Sequence, residues 1–174
     1  MLVPLFPIGR SFYVTKPASF ELEAFINATP ERVFTALTDI DDWKNWMPGL
    51  IGLEKLTTGP FETGTAWRES RKMMGHTATE QFEVTAVEPL RTIALRVDGT
   101  KGTTGKGEFR FTYILAPEAP GTRLKLSCEI HMPGWFAQTF PGMMSGVFKK
   151  ACNKDFEAFK AYLERPAKTL RMNA

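Results

Sequence analysis

Thr65-Ala-Trp-Arg-Glu-Ser-Arg-Lys-Met-Met-Gly-His-Thr-Ala-Thr-Glu-Gln-Phe-Glu-Val-Thr-Ala-Val87 reads as two strands joined by a tight turn at Met74-Gly75. Successive side chains of a strand point to opposite faces. One parity of the first strand holds Trp67, Glu69, Arg71 and Met73, and one parity of the second holds Ala78, Glu80, Phe82, Val84 and Ala86. These are the apolar parities, so they are expected to face inward and to carry Glu69, Arg71 and Glu80 in with them. A two-residue turn pairs Met73 with His76, and the same register sets Glu69 opposite Glu80 and Trp67 opposite Phe82. Two carboxylates opposed on an inner face suggest a lined cavity.

The chain around this hairpin has 174 residues, enough for one domain that buries close to ~70% of its unfolded surface. Apolar residues make up 43% of it, and 22 basic side chains stand against 19 acidic ones without a basic run interleaved with aromatics. Nucleic acid is therefore not an expected partner. Cys128 and Cys152 have no CxxC or His-Cys spacing, which argues against a metal site and for two free thiols in a reducing compartment. The N-terminus has no charged leader, Pro4 and Pro7 interrupt its apolar run, and no stretch approaches ~18 uninterrupted apolar residues. A cytoplasmic location with neither signal peptide nor transmembrane segment is the expectation.

Residues 1–18 hold three prolines and no period, and are read as an N-terminal extension. Phe20, Leu22, Ala24 and Ile26 then alternate with polar residues as a half-buried strand does. Thr29-Pro30-Glu31 announces a helix with a cap, a first-turn proline and an acid at the positive end of the dipole. Asp39 is expected to cap a second short helix, with Trp43, Trp46 and Met47 on one face and Pro48-Gly49 as its stop. Strands follow near Leu50–Thr57, through the hairpin, and at Thr92–Val97, Glu108–Leu115 and Thr122–Met132. The glycine-rich connector between Gly99 and Gly107 lacks the helix that a nucleotide loop needs and reads as a strand turn. A long helix from Met143 to about Glu164 places Val147, Phe148, Ala151, Asp155, Phe156, Phe159 and Leu163 on one stripe. One strand, two short helices, six strands and a long helix make an α+β domain over 19–165, with 166–174 as a tail.

Several segments carry a resemblance. They are Ile26-Asn-Ala-Thr-Pro-Glu-Arg-Val33, Asp39…Trp43…Trp46-x-Pro48, Gly64-x-x-Trp67, Val84-x-x-Val87-Glu-Pro89 and Gly121-Thr122. In this order they resemble the START/SRPBCC superfamily, which includes birch-pollen-allergen-like proteins, polyketide cyclases and lipid-transfer domains. The resemblance implies a helix-grip fold, a curved seven-stranded antiparallel sheet wrapped on the C-terminal helix with an apolar cavity between them. Carriers and enzymes share that scaffold, so function rests on the cavity residues.

Trp67, Phe82, Phe109 and Phe111 are expected to line the pocket, together with Tyr113, Trp135 and Phe148. Glu69, Arg71 and Glu80 are expected to orient the polar end of a hydrophobic or aromatic ligand. The same glutamates are the candidate acid and base of a cofactor-free cyclase or dehydratase, because contact between two carboxylates should raise the pKa of one. They are equally readable as a structural Glu–Arg–Glu cluster. His76 falls at the hairpin tip and His131 on a polar parity, so neither suggests a triad or a metal ligand. Residues 133–144 are apolar and rich in Met and helix breakers. They read as a cavity lid, as a patch for a membrane or partner subunit in a lipid carrier or a homodimer, or as an ordinary lead-in to the helix.

Overall fold

The computed structural model describes residues 17–73, 75–133 and 141–165. The chain runs β1 (Ala18–Ile26), α1 (Pro30–Thr38), a 3-10 turn (Ile40–Asn45), β2 (Leu50–Lys55), β3 (Ala66–Met73), β4 (His76–Glu88), β5 (Thr92–Asp98), a 3-10 turn (Gly99–Lys101), β6 (Glu108–Glu118), β7 (Gly121–His131) and α2 (Pro141–Leu163). The seven strands form one antiparallel sheet in the order β1-β7-β6-β5-β4-β3-β2. This is the helix-grip α+β architecture.

The hairpin of β3 and β4 has the register expected of a two-residue turn, with Met73 opposite His76, Glu69 opposite Glu80 and Trp67 opposite Phe82. Alternation carries through β5, where Ile93, Leu95 and Val97 are buried, and through β7, where Leu124, Leu126, Cys128 and Ile130 are. It breaks once. An irregularity between Val84 and Ala86 sets Val87 opposite Ile93, so Val87 rather than Ala86 packs toward the core.

Thr29 caps α1 by accepting from the Arg32 backbone N–H at 3.4 Å, with Pro30 in the first turn. The second short helix is a 3-10 turn instead of an α-helix, and Asp39 makes no side-chain cap bond to it. Six residues between a helix and a Pro-Gly stop leave little room for an α-helical hydrogen-bond ladder, and a tighter winding uses them. Gly121 explains part of the Gly-Thr signature. A Cβ there would fall 2.1 Å from the Ile26 carbonyl oxygen, while Thr122, fully buried, donates its hydroxyl to the Ala28 carbonyl at 2.8 Å.

The C-terminal half of α2 lays Phe156, Phe159 and Leu163 into the core. Its last turn is tied down by polar contacts. Lys160 Nζ donates to the Phe25 carbonyl at 2.5 Å, the Asn27 N–H donates to Glu164 at 2.9 Å, and the Tyr162 hydroxyl donates to Asp42 at 2.7 Å. These bonds fasten the helix to the end of β1 and to the 3-10 turn. The rest of the helix is left facing the sheet across the cavity. Residues 1–16, 134–140 and 166–174, which hold most of the expected extension and lid and the expected tail, lie outside the described residues. Trp135 is among them.

Candidate functional site

Between the sheet and α2 lies a cavity of about 160 Å³. Because it is bounded by strands whose registers are known, its polarity can be followed along β3 and β4. At one end stands an aromatic group. Trp67 is wholly buried and stacks on Phe82 with ring centroids 5.3 Å apart, and Trp43 meets Trp67 edge-on at 5.2 Å. Trp46 packs edge-on against Phe159 at 4.8 Å, and Phe82 continues to Phe111 at 6.4 Å. The indole N–H groups of Trp43, Trp46 and Trp67 are buried without an acceptor.

Two residues further along each strand the wall becomes charged. Glu69 is buried, and the Arg71 Nε donates to its Oε1. The Arg71 Nη1 donates to Asp155 Oδ2 of α2 at 2.7 Å, so one guanidinium ties the sheet to the helix. Burial draws that guanidinium toward the neutral form, but Glu69 and Asp155 together outweigh it and hold Arg71 above its ordinary range. Burial pushes the Asp155 carboxyl up to about 6. Arg71 pulls it down, and the charge of Glu69 adds to the push. Tyr113 is kept neutral far above its usual range, first by burial and then by the nearby acidic groups. The Cys152 thiol is pushed up to about 12, chiefly by burial.

Glu80 takes a different course. Its Oε1 accepts from the backbone N–H and the hydroxyl of Thr104, at 2.8 and 2.7 Å, while its Oε2 is buried with no donor. The connector after β5 therefore folds back on β4 rather than merely turning the chain. Thr103 and Thr79 exchange two hydrogen bonds of 2.8 Å, and Gly102 passes so close that a Cβ there would fall 2.1 Å from Glu80 Oε2.

The expected Glu–Arg–Glu cluster is thus corrected to Glu69–Arg71–Asp155. Glu69 and Glu80 are opposed in register, but their carboxylates are held by different partners, and the raised carboxyl is that of Asp155. In the sequence Asp155 stands as a lone acid in the apolar stripe of α2. Trp67, Glu69, Arg71, Glu80, Phe82, Phe111, Tyr113 and Phe148 all line the cavity. Phe109 does not: it is buried behind the wall, with its ring 4.9 Å from that of Phe148. His76 is exposed, and His131 is partly exposed with its Nε2 3.1 Å from Glu129. Among the described residues no three His, Cys, Asp or Glu side chains are grouped to hold a metal, and no helix is long and apolar enough to cross a membrane.

Comparison with known proteins agrees with this fold. The aromatase/cyclase Zhui from Streptomyces sp. R1128 superposes with a TM-score of 0.70 at 18% identity, covering 84% of this chain and 93% of that one. A START superfamily protein from Mycobacterium smegmatis gives 0.69 at 14%, covering 84% and 97%. Ara h 8.0201 gives 0.69 at 20%, covering 83% and 96%. At these identities the likeness is one of fold. No curated protein matches the chain. The profile of the family described as polyketide cyclase / dehydrase and lipid transport matches residues 17–164, and the chain belongs to that family.

Proposed function

We propose that the chain is a binding protein for a small hydrophobic or aromatic molecule, held in the internal cavity with its ring among Trp67, Phe82 and Phe111 and its polar end toward the charged group around Arg71. The observation that carries this reading is the polarity gradient: aromatic faces at one end of the cavity and, further along the same strands, Glu69, Arg71 and Glu80, with Asp155 meeting Arg71 from α2. Ligand sites are commonly apolar clefts with a few convergent polar groups, which is the pattern here. The volume sets the scale. An apolar cavity of about 150 Å³ takes up benzene, so about 160 Å³ suits a single ring with a short substituent.

Tryptophan fluorescence during titration with 2-phenylethanol tests the reading, since Trp43, Trp46 and Trp67 all stand in the wall. A saturable change at one ligand per chain is expected. The variant Ala151→Phe, which pushes a ring from α2 into the cavity, should weaken binding at least about tenfold while unfolding remains cooperative. Equal binding by this variant would place the ligand elsewhere.

A second reading, proton transfer in the same cavity, is favoured by Asp155. A carboxyl pushed up to about 6 beside a fixed guanidinium can both give and take a proton near neutrality. Enolisation of a bound ketone, followed by exchange of its α-protons for deuterium, would report it. Exchange no faster with the protein than with the Asp155→Asn variant would rule it out.

A further inference from the structure

The cavity walls carry unequal charge. Among the described residues that line the cavity, three carboxylates, Glu69, Glu80 and Asp155, stand against one guanidinium, Arg71, and no lysine or histidine. Glu69 and Asp155 both engage that guanidinium, so their group keeps one negative charge in excess. Among the described residues Glu80 engages no cation. Thr104 satisfies its Oε1, and its Oε2 is buried without a donor. Carboxylates that outnumber the cations beside them in a largely apolar wall are costly, and a ligand that brings positive charge offsets that cost. The aromatic wall of Trp67, Phe82 and Phe111 suits the ring of such a ligand.

We propose that the cavity selects cationic ligands: a small aromatic or hydrophobic molecule bearing a protonated amine, its ring on the aromatic wall and its ammonium group directed to Glu80 and Asp155. This names the ligand class for the cavity reading above and rests on it. Guanidinium-led recognition of an anion is the competing outcome. It is disfavoured because both carboxylates that Arg71 meets already lie within hydrogen-bond reach of it.

Three probes that share a ring and differ in charge decide the matter: 2-phenylethylamine, 2-phenylethanol and phenylacetate, titrated calorimetrically at pH 8 into the full chain. The amine should bind at least about tenfold more tightly than the alcohol, and the alcohol more tightly than phenylacetate. In Glu80→Gln and in Asp155→Asn the preference of amine over alcohol should fall to within about threefold of unity, and alcohol binding should persist. Glu80→Gln suffices if the helix variant does not fold. Phenylacetate binding as tightly as the amine, or an undiminished preference in Glu80→Gln, overturns the cationic proposal and leaves the cavity reading standing. Failure of all three probes to bind overturns the cavity reading and this proposal with it.

Discussion

Replacing Asp155 by Asn should stabilise the protein at neutral pH. Asp155 is largely buried against Arg71, which it shares with Glu69. Its carboxyl is raised from 3.8 to about 6. The folded state thus favours the protonated form. That contribution is fully present below the unfolded value of 3.8 and is lost as pH rises through about 6. At 1.36 kcal/mol per unit, the ionised group costs the fold roughly 3 kcal/mol by pH 7.5. Asn keeps an oxygen for Arg71 Nη1 and discards the excess charge, while Glu69 still balances the guanidinium. Urea unfolding of the two proteins should therefore coincide near pH 4, diverge through pH 6, and leave the variant about 2–3 kcal/mol more stable at pH 7.5. For a domain of this size that is a rise in Tm of several degrees. A variant that is less stable than the parent by a pH-independent amount would refute the argument, because it would mean that the attraction of Arg71 outweighs burial at this carboxylate.

Other consequences are simpler to check. Trp67→Ala removes a wholly buried ring stacked on Phe82 and should cost about 3–5 kcal/mol in chemical denaturation. Gly102→Ala sets a methyl group against Glu80 Oε2 and should cost about 1–3 kcal/mol, with faster amide exchange at Thr104, whose N–H is held by Glu80. Thr29→Ala loses the cap of α1 and should cost ~1 kcal/mol. The thiols of Cys128 and Cys152 are both pushed up to about 12, mainly by burial, so neither should react with a disulfide reagent at pH 8 until denaturant is added.

The hairpin of β3 and β4 was readable because two signals converge on one register: strand parity and a two-residue turn marked by the glycine at 75. The order of elements and the cap at Thr29 were readable for similar local reasons. The bulge after Val84 was not, since inserting one residue into a strand leaves no mark in composition, and it exchanges Ala86 for Val87 on the inner face. Nor was the partner of Glu80. Thr104 lies 24 residues away in a loop whose glycines suggested only a turn, and it is Gly102's lack of a side chain that lets the loop lie against the carboxylate. Asp155 did leave a signal. An acid inside an apolar helical stripe must find a cation or stay protonated, and the inward Arg71 was the cation at hand. Phe109 shows the limit of parity, which assigns a face but not whether a side chain on that face reaches the cavity or packs behind its wall.

The central claim is that the space between sheet and helix holds a small molecule. Native mass spectrometry of the purified protein, before and after incubation with 2-phenylethylamine, tests it most directly. One adduct per chain is predicted, lost on denaturation and absent or strongly reduced in Ala151→Phe. An undiminished adduct in that variant, or none in the parent protein at any accessible ligand concentration, would contradict the account.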